Sequence, residues 1–217
     1  MSFRATALKR SQLVVFLLGL GSLSVFAQAP TSPIAFSDRD AIVTSLVHAP
    51  NLGTLGASSD DTQWLKIEFH YGTTPVLTTN YIDTVEFKVW VEGRDLLDPQ
   101  GKPGEGIAVG FTGSVTYINI PKGKDLYGVF YVNPSTLGRY STDRGLEDYD
   151  RKFDVHIEAY IGGALMDKID KKKGETDGWH LLLKAIPDLV YRQDQCPFLV
   201  MDPDRYPAIK LPPSQSK

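Results

Sequence analysis

Four histidines, His48, His70, His156 and His180, are the side chains in this chain best suited to metal ligation or proton transfer. None stands at HxH, HxxE or HxxxH spacing, the patterns that aim two donors at one ion from a strand or a helix. His70 and His156 fall on the outward faces of two different strand-like segments, so they are expected to be solvated or structural. The acidic run Asp143 to Asp150, DRGLEDYD, offers hard oxygen donors but lacks the DxDxDG spacing of a calcium loop. There is no GxSxG, no Walker loop and no dinucleotide fingerprint. The one SxxK match, Ser214 to Lys217, ends a Pro-rich tail and has no helix to sit on. Gly101 to Gly106, GKPGEG, is a turn run, because no helix follows to bind phosphate. No enzyme activity, metal or cofactor is expected from these residues.

Cys196 is the single cysteine, so no disulfide forms within the chain and the fold must rest on burial. A thiol nucleophile needs a histidine partner, and none is indicated. A small buried hydrophobe beside Pro197 and Phe198 is the simpler reading. Trp64 and Trp90 lie on the non-core side of their segments. On neighbouring strands they would form an exposed aromatic surface for a sugar ring or a protein partner. Where another strand, loop or subunit covers that face they would only pack.

The elements that must position these residues read as β-strands. In Tyr81 to Glu92, YIDTVEFKVWVE, Val85, Phe87, Val89 and Val91 alternate with Glu86, Lys88, Trp90 and Glu92. Period two of this kind marks a half-buried strand. Gln63 to Tyr71 repeats the pattern, with Leu65, Ile67, Phe69 and Tyr71 inward. So does Phe153 to Ile161, with His156, Glu158 and Tyr160 outward. Gly162-Gly163 is a two-residue hairpin signal into a return strand from Ala164 to Ile169. Leu126 to Val132 is continuously apolar and reads as a central strand. Ile107 to Ile120 is long and apolar, and Gly110 and Gly113 suggest a bulge or a break in it. Ala41 to His48 suits either a helical stripe or a strand, and its β-branched residues favour the strand. Leu137 and Tyr140 mark a short helical turn against the core. Trp179 to Tyr191 has mixed period and is broken by Pro187. Pro197 to Met201 is expected to be a last short strand.

Seven to eight strands with turns between them, and no long helix, predict an all-β fold: a single antiparallel β-sandwich, immunoglobulin-like in architecture and without a disulfide. A jelly roll or small barrel is the competing arrangement. The 217 residues, 42% hydrophobic and 23% charged, suffice for one domain with a real core.

Met1 to Ala27 reads as a signal peptide. Arg4, Lys9 and Arg10 precede the apolar run Leu13 to Leu20, and Val25-Phe26-Ala27 places small residues for cleavage before Gln28. A retained membrane anchor is the alternative, but the run is short and interrupted by Gly19, Gly21, Ser22 and Ser24. A lipoprotein would need a cysteine at the cut. A type IV pilin would need an early glutamate, and the first is Glu68. Residues 28–36 are expected to be a disordered lead-in, 37–202 the sandwich and 203–217 a Pro-rich tail. The expected product is exported to the periplasm, cell surface or medium, with no membrane span after cleavage. Net charge is −3, and cleavage removes three basic residues, so nucleic acid and anionic lipid have no electrostatic claim on it.

The export signal, the strand series and the ending PFLVMDPDRYPAIK (Pro197 to Lys210) resemble a group of secreted proteins of Akkermansia-type verrucomicrobia linked with type IV pilus gene clusters. The resemblance implies an Ig-like fold and a role in pilus or cell-surface assembly, with envelope or pilus-assembly proteins as partners and with self-association. Without the pilin cleavage motif, such a protein would be an accessory rather than the pilus subunit.

Overall fold

The computed structural model describes residues 32–37, 41–50, 63–74, 79–95, 97, 100, 106–140, 153–171 and 178–211. The expected signal peptide, the acidic run 143–150, the SxxK match and most of the Gly101–Gly106 turn lie outside the described residues.

Among the described residues, seven long strands carry the fold: β2 (Ile42–His48), β3 (Gln63–Thr73), β4 (Tyr81–Asp95), β5 (Ile107–Pro121), β6 (Gly123–Val132), β7 (Val155–Ile161) and β8 (Ala164–Lys171). Four short ones, β1 (Ile34–Phe36), β9 (Lys184–Ile186), β10 (Val190–Tyr191) and β11 (Ala208–Ile209), finish the edges. One sheet runs β1-β3-β6-β10, with β2 also paired to β3. The other runs β11-β5-β4-β7-β8, with β9 also on β5. All pairings are antiparallel except β5–β9, which is parallel. This is the expected all-β sandwich.

The two sheets close on the alternating apolar faces. Leu65, Ile67, Phe69 and Tyr71 of β3 meet Val85, Phe87, Val89 and Val91 of β4, all fully buried. Phe69 and Phe87 lie 4.8 Å apart at the centre, with Tyr71 at 4.9 Å from Phe87. Tyr117 of β5 reaches through this layer, and its hydroxyl accepts the Val129 N–H of the opposite sheet at 3.1 Å. Helix α1 (Pro134–Tyr140) starts where the Asn133 side chain accepts the Thr136 N–H, and it plugs one end with Leu137 and Tyr140, as expected. Gly162 and Gly163, at φ 57° and 82°, make the β7–β8 hairpin, a turn that needs left-handed backbone at both positions.

Four expectations are corrected. β5 is unbroken, and Gly113 is there for approach: a Cβ on it would meet the Val190 carbonyl oxygen at 2.3 Å. Pro197–Val200 is a 3₁₀ turn rather than a strand, with Leu199 and Met201 N–H groups bonded to the Cys196 and Phe198 carbonyls. Ile34–Phe36, expected within the disordered lead-in, pairs with Tyr71–Thr73 as β1. Ala208–Ile209, expected within the tail, pairs with Tyr117–Ile118 as β11.

The chain after Gly178 is a strap. It lies on the edge of β5 as β9, crosses to the edge of β6 as β10, runs over the outside of that sheet, and returns to β5 as β11. Among the described residues no helix is long and apolar enough to cross a membrane.

Candidate functional site

The outer faces of the two sheets, which the alternating pattern assigned to solvent, are where the chemistry-bearing residues gather. On the β4-β7-β8 face, strand register sets Trp90 beside His156 and His156 beside Asp170, and sets Lys88 beside Glu158. Period two along β7 puts His156, Glu158 and Tyr160 in one row. The strap then lies over this face. Gly178, at φ 75°, turns the chain into a 3₁₀ turn over Trp179–Leu182 that lays His180 on His156.

The two imidazoles stack at 3.6 Å between ring centroids, tilted 12°. The Trp90 ring stands 5.4 Å from His156 and 5.0 Å from His180. His156 Nδ1 lies 2.7 Å from Asp170 Oδ1, and the same oxygen accepts the Trp179 indole N–H at 2.8 Å. An ionised aspartate only accepts, so the proton of this bond sits on Nδ1. His156 Nε2 lies 3.2 Å from Glu158 Oε1 but makes no hydrogen bond. His180 Nε2 lies 3.9 Å from the same oxygen, and His180 Nδ1 is buried without a partner.

Electrostatics favour a neutral His180 beside an ionised Glu158. Burial, and after it the neighbouring His156, hold the His180 imidazole below its ordinary value. Burial raises the Glu158 carboxyl, but the hydrogen bond from Tyr160 and the close approach of His156 outweigh it and hold the group below the usual range. The Tyr160 hydroxyl donates to Glu158 Oε2 at 2.5 Å, and that bond, followed by burial, pushes Tyr160 up to about 12.

Of the two expectations for His156, solvated or structural, the solvated one is corrected: it is 1% exposed. The strap covers the outward face of β7, and nothing in the period of β7 itself signals that cover. The residue that completes the group, His180, sits in the segment whose mixed period gave no register.

Trp64 and Trp90 do not share a face, because β3 and β4 belong to different sheets. Trp64 packs edge-on to Tyr191 at 6.0 Å and Phe198 at 5.7 Å, under the strap on the β3-β6 side. Tyr131 stacks flat on Phe198 at 4.5 Å. Glu68 locks the strap there: Arg205 bonds both its oxygens at 3.0 and 2.7 Å, Tyr206 donates at 2.5 Å and Lys66 lies at 3.0 Å. Burial raises the Glu68 carboxyl, but these hydrogen bonds prevail and bring it down to about 2. The Arg205 guanidinium also lies over the Tyr127 ring at 4.2 Å. Cys196 is half-buried with its thiol directed at the Gln193 carbonyl at 3.3 Å, and burial pushes the thiol up to about 11.

A protein-family model matches residues 38–212, which takes in both outer faces and the strap. The chain belongs to this family. Among solved structures, family membership is accompanied by a likeness to a crystal structure of a protein from Akkermansia muciniphila. It superposes with a TM-score of 0.64 at 19% identity, covering 82% of this chain and 93% of that one. At that identity the likeness carries the fold. The Akkermansia side of the resemblance drawn from the strand series and the ending is thus matched. No curated protein matches the chain. In the family member described here, the ending that carried the resemblance is structural: Phe198, Arg205, Tyr206 and Ile209 are the residues that dock the strap.

Proposed function

We propose that the chain is an exported, non-enzymatic β-sandwich that works by binding protein partners, as an accessory of type IV pilus or other cell-surface assembly. One observation carries the binding part. The strap holds two runs of adjacent apolar side chains out to solvent: Leu181 at 75% and Leu182 at 82%, then Leu199 at 58%, Val200 at 62% and Met201 at 43% exposure. Scattered single exposures are ordinary, but adjacent pairs on a segment fixed to the body suit a protein contact. The pilus part rests on the resemblance of the ending and the leader, and on the chemistry-poor motif set. The alternative of a sugar platform has lost its geometric motive, since Trp64 and Trp90 lie under different parts of the strap.

The test uses in-cell cross-linking and co-purification from envelope, comparing the wild type with Leu181→Asp/Leu182→Asp and Leu199→Asp/Val200→Asp. The expected result is a specific envelope partner or a self-complex captured by the wild type. One of the double variants, still folded by circular dichroism, loses it. A monomer by light scattering that captures the same proteins with and without the apolar pairs overturns the reading.

A further inference from the structure

We propose that His156, Glu158 and His180 form a binding site for a divalent transition metal of the zinc class, which fastens the strap to β7. This does not rest on the partner-binding reading.

The donor set is two imidazoles and one carboxylate, with one ligand atom from each residue and all three atoms within 4.8 Å of one another. Mixed nitrogen and oxygen donors suit zinc and its neighbours rather than calcium or magnesium, which take oxygen. Zinc bonds of about 2.0–2.1 Å place tetrahedral ligands about 3.3 Å apart. His156 Nε2 and Glu158 Oε1 already stand at 3.2 Å. His180 Nε2 stands 3.9 Å from Glu158 Oε1 and needs to close by about half an ångström.

Two further features point at an ion rather than at a solvated cluster. His156 Nε2 is enclosed and makes no hydrogen bond, a costly state for a buried polar atom unless something binds it. Behind it, Asp170 accepts from Nδ1 at 2.7 Å. That is the carboxylate–histidine arrangement by which proteins orient an imidazole and leave its other nitrogen as a lone pair for metal. Trp179 bonds the same aspartate, and the Trp90 ring walls one side of the two imidazoles.

One adjustment is required. Imidazole lone pairs lie in the ring plane, so two rings stacked at 12° cannot both face one ion. Binding turns the His180 ring out of the stack about its side-chain torsions, while the fourth position is left to water. The turn carrying His180 starts from Gly178 and is joined to β7 and β8 by side-chain contacts. A metal there converts a packed contact into a cross-link.

The test is calorimetric titration of Zn²⁺ into tag-free, chelator-stripped protein, with Co²⁺ absorption reporting ligand geometry and hydrogen exchange reporting residues 178–183. Expected are one Zn²⁺ per chain, a tetrahedral Co²⁺ spectrum and slower exchange of the strap with metal. His180→Ala and Glu158→Gln each lower affinity more than tenfold, Asp170→Asn lowers it about tenfold, and His70→Ala leaves it unchanged. Glu158→Gln conserves shape and guards against a misfolded His180 variant. Absence of saturable one-to-one binding overturns the proposal. So does binding that survives both His180→Ala and Glu158→Gln.

Discussion

Replacing Glu68 by Gln should make the protein less stable at neutral pH and hardly change it at pH 2. Glu68 anchors the strap through Arg205, Tyr206 and Lys66, and these bonds hold its carboxyl at about 2 rather than 4.5. A group depressed in the folded state contributes stability above its unfolded value, and loses it as pH falls through its folded value. The window is therefore about pH 5 down to 2. The whole shift would correspond to about 3 kcal/mol. Arg205 is 43% exposed, so solvent screens the pair and about 1–2 kcal/mol is the realistic contribution. Urea unfolding of wild type and Glu68→Gln at pH 7, 5, 4, 3 and 2 measures it. The two curves should differ by about 1–2 kcal/mol at pH 7 and converge at the acid end. A difference that stays constant across the series would refute the assignment of the shift to this anchor.

Other outcomes follow from packing. Gly128→Ala places a Cβ 2.0 Å from the Phe69 ring in the closed core, so it should cost about 1–3 kcal/mol by denaturant unfolding. Phe87→Ala, which empties the space between Phe69, Tyr71 and Tyr117, should cost about 3–5 kcal/mol in the same assay. Trp64→Ala should speed hydrogen exchange in residues 190–206 and leave 178–183 alone, while Trp90→Ala should do the reverse, because each indole packs under a different stretch of strap. With its thiol at about 11, Cys196 in the native protein should react with iodoacetamide at pH 8 about a hundredfold more slowly than in the unfolded chain.

The long strands were legible because one apolar face against a core writes itself as alternation, and β3, β4 and β7 each bury the residues so marked. The return strand after Gly162-Gly163 was legible because that turn demands glycine geometry. The short strands were not: two or three residues carry no period, and β1, β9, β10 and β11 exist because a longer neighbour offers an unpaired edge. Gly110 and Gly113 were misread for a related reason. A glycine that breaks a strand and a glycine that admits Leu183 or Val190 look identical until the neighbour is known. His156 shows the same limit at the candidate site. Alternation tells which face a residue is on, and only the distant His180 tells whether that face is dry.

The strap has a consequence for the order of synthesis. Its residues are made after those of both sheets, yet they occupy the outer hydrogen-bonding rows of both β5 and β6. Until each short strand of the strap has been made, the row it covers stands open as a template for any other extended chain nearby, and the Tyr117–Ile118 row of β5 is the last to close. A stop codon before Lys184 would leave the outer rows of both β5 and β6 exposed, and one between Tyr191 and Ala208 would still leave the Tyr117–Ile118 row of β5 exposed.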